Sequence, residues 1–376
     1  MSNTSFCNGD RQAGKTRETN IELLRCVCMF MIMCVHFKAH GLKFEDESLS
    51  LMNASLRSFT NWMGSVSNYC FMLITGYFAA SSSFSIKKEA RVYLQYFFYS
   101  ALFGLYLFIF QCNIHPQGEE KIMDLKHLAA SFLPFLTNQN WYACAYLVFF
   151  PFTPFLNKLI DNLTQKEHFK LCMIFLFFGG VIQVLPVQKA FSPEYLFYFV
   201  TFYFIGFYIN KYKPACFEKF GFNLAVTLLL IFFMTCGSMT VYFLSSRIGF
   251  IKNHYEYFFT FPCNVFLEQI LAVFLFCTFK SMNIKSNRII NTLGSCTFGI
   301  YLIHNNRTFK HYMWFNIFHS QEHIYSEYLP LYLIACVLIL FFAAALIELL
   351  RKHLFILIKR TYNKVWSYHY KTEQSL

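Results

Sequence analysis

Charged residues are scarce in this sequence of 376 amino acids. They make up 14% of it, whereas soluble globular domains carry about 25%. Because so few charges cannot cover a folded chain of this size in water, we predict an integral membrane protein. Glycine and proline are also few, at 15 and 9 residues, and their low numbers exclude collagen-like and low-complexity disordered chains.

The abundant residues are apolar, and Phe alone occurs 50 times. The mean hydropathy is accordingly positive, at +0.39. The net charge of +12 is expected to orient membrane helices, since Lys and Arg collect on the cytoplasmic side, and we expect no nucleic-acid partner. Most of the 14 cysteines lie in apolar runs without the spacing of a metal or redox site, so no metal ion is expected.

Long apolar runs predict helices that cross a bilayer, each of roughly 20 residues. The runs are continuous, whereas the strands of a membrane β-barrel would alternate apolar and polar residues. We therefore predict an all-α, polytopic membrane helical bundle of about ten transmembrane helices. The predicted spans are 20–40, 59–80, 92–112, 141–157, 169–185, 195–210, 221–244, 257–279, 289–305 and 329–350.

The connections between these spans predict the orientation of the bundle in the bilayer. Lys and Arg are roughly twice as frequent on the side of the N-terminus as on the other side, which places both termini in the cytoplasm. We divide the chain into a polar cytoplasmic tail (1–19), a membrane domain (20–350) and a basic, aromatic cytoplasmic tail (351–376) that can lie along the membrane surface. The segment 121–136 has helical spacing and is expected to form an interfacial helix.

Ionisable residues concentrate in the first span, where they are costly and are therefore functional candidates. Arg25 and His36 are eleven residues apart, so they share one face of a helix and lie about 16 Å apart along its axis. The same residues also fit a purely structural role. In that role, Glu22 and Arg25 form an ion pair near the start of the helix, and His36 has its hydrogen bonds satisfied at the membrane interface.

Five segments in this order resemble those of acyltransferase family 3, a family of membrane proteins. The family carries an Arg, ten intervening residues and a His in its first transmembrane helix, and Arg25 and His36 have that spacing. Thr75 stands where the family's second segment usually has Ser. The matching segments are RETNIELLRCVCMFMIMCVHFKAHG (17–41), FMLITGYF (71–78), KKEAR (87–91), WYACAYLVFFPFTPFLNKLI (141–160) and FGIYLIHN (298–305).

The resemblance implies transfer of an acyl group, often acetyl, from cytoplasmic acyl-CoA to a hydroxyl of a sugar or lipid-linked glycan. It is greatest for the branch that modifies bacterial surface polysaccharides. The chain is thus expected to be an O-acetyltransferase of the bacterial cytoplasmic (inner) membrane. Its expected partners are the lipid bilayer, the glycan acceptor and other polysaccharide-assembly proteins.

The basic residues of the matching segments can be assigned roles in this reaction. Histidine accepts protons near neutral pH, so His36 is the expected general base. Arg25, deeper and toward the cytoplasm, can hold a phosphate or the thioester end of acyl-CoA. Lys87, Lys88 and Arg91 can bind the nucleotide phosphates of the donor, or they can serve to set the topology.

Three further residues lie at the ends of spans where an acceptor would arrive. His304 is predicted at the same depth as His36, so it either shares the catalytic site or is an interfacial histidine. Trp141 and Tyr142 can stack on a sugar acceptor, but they also fit the aromatic belt of a membrane interface.

The carboxylates of the spans leave a second function open. Glu268 is expected to face the interior, where it either pairs with Arg25 or Arg91 or, like Glu22, borders the donor tunnel. A transporter or flippase for a glycan or small anion would instead use His36, Arg25 and Glu268 as a polar relay. A scaffold protein, in which these residues only pack, would leave the spacing of Arg25 and His36 unexplained.

Overall fold

The structure, a computed structural model, contains helices and no strand in the residues it describes, apart from one isolated β-bridge between Asn113 and Ile122. The all-α prediction is therefore confirmed. The described residues are 17–42, 51–80, 85–114, 122–182, 195–245, 247–248 and 263–373. The predicted tail 1–19 lies outside them up to residue 16, and the predicted span 257–279 up to residue 262.

The helices follow the order of the apolar runs. The first half contains α1 (Thr19–His36), α2 (Leu51–Thr60), α3 (Met63–Ala79), α4 (Ile86–Ile109), α5 (Leu125–Phe132), α6 (Trp141–Phe149), α7 (Thr153–Asp161) and α8 (Gln165–Leu176). The second half contains α9 (Tyr195–Tyr212), α10 (Phe220–Ser245), α11 (Cys263–Lys280), α12 (Arg288–Gly294), α13 (Thr297–His304), α14 (Phe309–Tyr312) and α15 (Leu329–Glu373). π-Helical turns extend α1 through Phe37–Gly41 and α8 through Phe177–Val181.

Five helical segments are long and apolar enough to cross a bilayer by themselves. They are Thr19–Gly41, Ile86–Ile109, Trp141–Asp161, Phe220–Val241 and Leu329–Asn363. Other predicted spans coincide with shorter helices, among them α3, α9 and α11. The helical bundle is thus observed, and the count of ten crossings stays a prediction.

α1 lies at the centre of the bundle, packed against α3, α11, α12, α13 and α15. α3 in turn crosses α9 with backbone in direct contact, because each helix places a glycine against the backbone of the other. A Cβ atom on Gly76 would lie 2.1 Å from the carbonyl oxygen of Tyr203, and one on Gly206 would lie 2.2 Å from that of Leu73. Gly76, in the segment that resembles the family, thereby brings α3 and α9 together beside α1.

The predicted span 289–305 is not one helix. It breaks at Ser295 and Cys296 into α12 and α13, although no proline marks the break. The ammonium group of Lys352 donates to the carbonyl oxygen of Ser295 at 2.8 Å and to its hydroxyl at 2.9 Å. These bonds satisfy polar groups at the end of α12, so the break is stabilised by a side chain from another helix.

Two further helices, α5 and α15, lie where the sequence predicted an interfacial helix and the C-terminal tail. α5 confirms the helix predicted within 121–136, and the carboxylate of Asp124 accepts from the backbone N–H of His127 at its start. The 45-residue α15 runs without interruption through position 350, the predicted boundary between the membrane domain and the C-terminal tail. At 1.5 Å per residue it is about 68 Å long, roughly twice the hydrocarbon core of a bilayer.

Candidate active site

Two adjoining cavities meet beside Arg25. The histidine-side cavity, of about 310 Å³, is lined by α1, α3, α4, α6 and α13. The lysine-side cavity, of about 260 Å³, is lined mainly by α3, α4, α6, α7 and α9. Arg25, Thr75, Val92 and Tyr146 line both. The side chain of Arg25 therefore lies at the junction of the two.

The guanidinium group of Arg25 has donors available for a ligand. Its Nε atom lies 3.9 Å from Oε1 of Glu22, and that oxygen accepts a hydrogen bond from Arg17 at 2.9 Å. Nε of Arg25 makes no hydrogen bond with any residue that the structure describes. Glu22 thus balances part of the charge, and the Arg25 side chain, which is 28% exposed and lines both cavities, keeps further donors for a ligand.

His36 and His304 are in direct contact. Nδ1 of His36 lies 2.9 Å from Nε2 of His304, and Nδ1 of His304 lies 2.7 Å from the carbonyl oxygen of Ile300. A carbonyl only accepts, so His304 carries its proton on Nδ1 and accepts on Nε2. His36 must then donate from Nδ1. In this neutral pair, Nε2 of His36 keeps a lone pair that can take a proton.

The histidine pair, His36 with His304, lies just beyond the histidine-side cavity. Ile32 precedes His36 by four residues on α1, and Tyr301 precedes His304 by three residues on α13, and both line the cavity. His304 is fully buried, whereas His36 is partly exposed. The cavity therefore runs between Arg25 and the turns that carry the two histidines.

A second histidine follows on the same face of α1 and its π-helical turn. The rings of His36 and His40 have centroids 5.3 Å apart, and the ammonium group of Lys310 lies 3.4 Å from Nε2 of His40. Burial lowers the pKa of Lys310.

In the part of the chain that the structure describes, no group of three or more His, Cys, Asp or Glu side chains could hold a metal ion.

The three basic residues at the start of α4 are exposed, and they differ in position. Lys88 lines the lysine-side cavity together with Arg25. Lys87 and Arg91 are exposed on the same turns, and neither lines either cavity. The sequence could not distinguish these three residues from one another. In the structure, Lys88 lines the lysine-side cavity, and Lys87 and Arg91 do not.

Trp141 and Tyr142 likewise separate. Tyr142 lines the histidine-side cavity. Trp141 does not line it and packs against Tyr195, with ring centroids 4.2 Å apart. Successive residues of a helix point about 100° apart, so one faces the site and its neighbour packs outside it.

Glu268 lies apart from this site. It is buried on α11 and forms a hydrogen bond with Ser65. The expected ion pair with Arg25 or Arg91 is therefore wrong: Glu22 lies one turn from Arg25 on the same helix and takes that place, and Arg91 is exposed. Glu268 lines neither cavity, so a relay of His36, Arg25 and Glu268 is not brought together.

Sequence reasoning missed a third buried carboxylate, in addition to Glu22 and Glu268. Glu348 accepts from the hydroxyl of Tyr99 at 2.7 Å and from two nitrogens of Arg351 at 2.8 and 2.7 Å. A Cβ atom on Gly299 would lie 2.5 Å from Oε2 of Glu348, so this carboxylate packs tightly on the helix that carries His304. A Glu inside an apolar run, followed by Arg351 and Lys352 one turn on, is the signal that could have revealed it.

The fold and the site together define a multi-pass membrane protein with an internal site built on arginine and histidine. An acyltransferase domain matches residues 18–348, most of the chain. The chain therefore belongs to acyltransferase family 3, and the resemblance seen in the sequence is confirmed. No curated protein and no solved structure matches the chain.

Proposed function

We propose that this acyltransferase moves an acyl group, in particular acetyl, from acyl-CoA to a hydroxyl of a cell-surface or lipid-linked polysaccharide. In this proposal the donor enters from the cytoplasm and the acceptor from the opposite side of the bacterial cytoplasmic membrane. The observation that supports it most is the 2.9 Å contact between His36 and His304, just beyond a cavity that begins at Arg25.

The reaction requires one proton to move from the acceptor to the leaving group. Nε2 of His36 takes the proton of the acceptor hydroxyl as its oxygen attacks the thioester carbonyl carbon. The carbon–sulfur bond then breaks, and the imidazolium of His36 returns the same proton to the departing sulfur. The products are the ester and free CoA, so no further acid, base or co-reactant is needed.

His304 serves in this mechanism as the group that orients His36. Its acceptor nitrogen holds the proton of His36 on Nδ1, which keeps Nε2 unprotonated and directed away from the pair. The carbonyl oxygen of Ile300 fixes the tautomer of His304 in turn. His304 therefore acts through His36 and needs no contact with the donor.

The donor is held by the cationic side of the site. The guanidinium of Arg25 can bind a phosphate of acyl-CoA, since its planar fork presents several donors to one acceptor group. The histidine-side cavity then leads the thioester end from Arg25 toward His36. Lys88 lines the lysine-side cavity and can bind the diphosphate of the donor. Lys87 and Arg91, exposed nearby, add positive charge that attracts the anionic nucleotide.

The test is acyl transfer by the purified full-length protein in detergent, with radiolabelled acetyl-CoA and a lipid-linked oligosaccharide extract as acceptor. We expect label in an alkali-labile ester for the wild type and for His353→Ala, an exposed histidine on α15, and none for His36→Ala. A wild type that neither binds nor consumes acetyl-CoA would refute the proposed donor. Label in an amide would refute the hydroxyl acceptor.

A further inference from the structure

A polar groove lies next to the site, on the side of α12. It has a volume of about 460 Å³ and opens to solvent. None of its lining side chains is apolar. The lining residues are Arg17, Ser286, Arg288, Asn291, Thr292 and Ser295.

The groove is positively charged, because two guanidinium groups line it and no carboxylate does. Arg17 uses one terminal nitrogen to hold Glu22 and has other donors to spare. Arg288 is exposed and, among the described residues, makes no hydrogen bond or ion pair. The ammonium group of Lys352 binds Ser295 at the edge of the groove, but it also lies 3.7 Å from the carboxylate of Glu348, which balances its charge.

Guanidinium groups that line one groove together with hydroxyls have the chemistry that recognises phosphate. A phospholipid headgroup and a nucleotide both carry phosphate, but a lipid would also bring acyl chains against this groove, and its lining gives them no apolar contact. We propose that the groove binds the 3′-phosphate of acyl-CoA, an inference that rests on the proposed donor.

The groove is close enough to the cavities to share one extended ligand with them. Ser295 lines the groove, and Thr297, two residues further on, lines the histidine-side cavity. Arg17 contacts Glu22, which lies beside Arg25. A donor that has a phosphate at Arg25 and its thioester toward His36 thus has the groove near its nucleotide end.

The experiment compares acetyl-CoA with acetyl-dephospho-CoA, which lacks the 3′-phosphate. Affinities are measured for the wild-type protein in detergent, for Arg288→Gln, and for Lys285→Gln as a control. Lys285 is exposed three residues before Arg288 and does not line the groove, and its substitution removes the same charge. The wild-type comparison needs no variant and is unaffected by any folding defect.

We expect the wild type and Lys285→Gln to bind acetyl-CoA about tenfold more tightly than the dephospho form, and Arg288→Gln to lose that preference. Equal wild-type affinities, or an equal loss for both ligands in Arg288→Gln, would overturn the proposal. Displacement of acetyl-CoA by short-chain phosphatidylglycerol from the wild type but not from Arg288→Gln would assign the groove to a lipid and also overturn it. If the wild type binds neither thioester, the proposed donor itself fails, and that outcome differs from all the others.

Discussion

Replacing His304 by alanine removes the group that accepts the Nδ1 proton of His36 across 2.9 Å. The lost hydrogen bond matters most in the transition state, where His36 becomes positively charged, and its removal there costs about 1–3 kcal/mol. His36 is also free to place its proton on Nε2, where it can no longer act as a base. Because 1.4 kcal/mol corresponds to a factor of ten, we expect kcat for acyl transfer to fall roughly 5- to 150-fold.

The assay measures kcat and acyl-CoA affinity in the same detergent preparation. Arg25 is untouched in His304→Ala, so the affinity for acyl-CoA should be unchanged. His304→Gln should recover part of kcat, since its amide oxygen can accept from Nδ1 of His36. Transfer at the wild-type rate in His304→Ala, or a loss confined to donor binding, would refute the orienting role.

Three further substitutions test other parts of the site and the fold. Lys88→Gln should weaken acyl-CoA binding in a titration, and Lys87→Gln should not, because Lys88 alone of the two lines the cavity; equal effects would contradict this assignment. Glu268→Gln, which keeps a hydrogen-bonding group, should give a higher folded yield than Glu268→Leu on size-exclusion chromatography, and equal yields would argue against a structural role. Gly76→Ala should lower the thermal midpoint in detergent, since its methyl group would overlap the backbone of α9 at a cost of about 1–3 kcal/mol; an unchanged midpoint would contradict that contact.

The sequence alone could predict the features that depend on the periodicity of a single helix. The shared face of Arg25 and His36 follows from helical periodicity, and the structure places Arg25 on the cavity and His36 just beyond it. The common depth of His36 and His304 followed from counting spans. Their hydrogen bond required the rotation of α13 about its axis, which no pattern within α13 specifies.

The features that could not be predicted depend on contacts between distant segments. The apolar run 289–305 is continuous, and the break within it is held by Lys352 from α15. The ion pair expected for Glu268 is wrong for the same reason. Its partner, Ser65, is determined by how α11 packs on α3. Lys87 and Lys88 are adjacent and chemically equal, so only the position of the cavity distinguishes them.

The division of labour between His36 and Arg25 is the central claim, and one paired measurement tests it directly. Acyl-CoA affinity and acyl transfer are determined for His36→Ala, Arg25→Ala and Arg25→Lys under one condition. We predict that His36→Ala abolishes transfer and leaves binding intact, because the base acts only in the chemical step. Arg25→Ala should weaken binding by about 1.5–3 kcal/mol, and Arg25→Lys should recover only part of it. Transfer retained by His36→Ala, or an exchange of the two effects, would contradict the account.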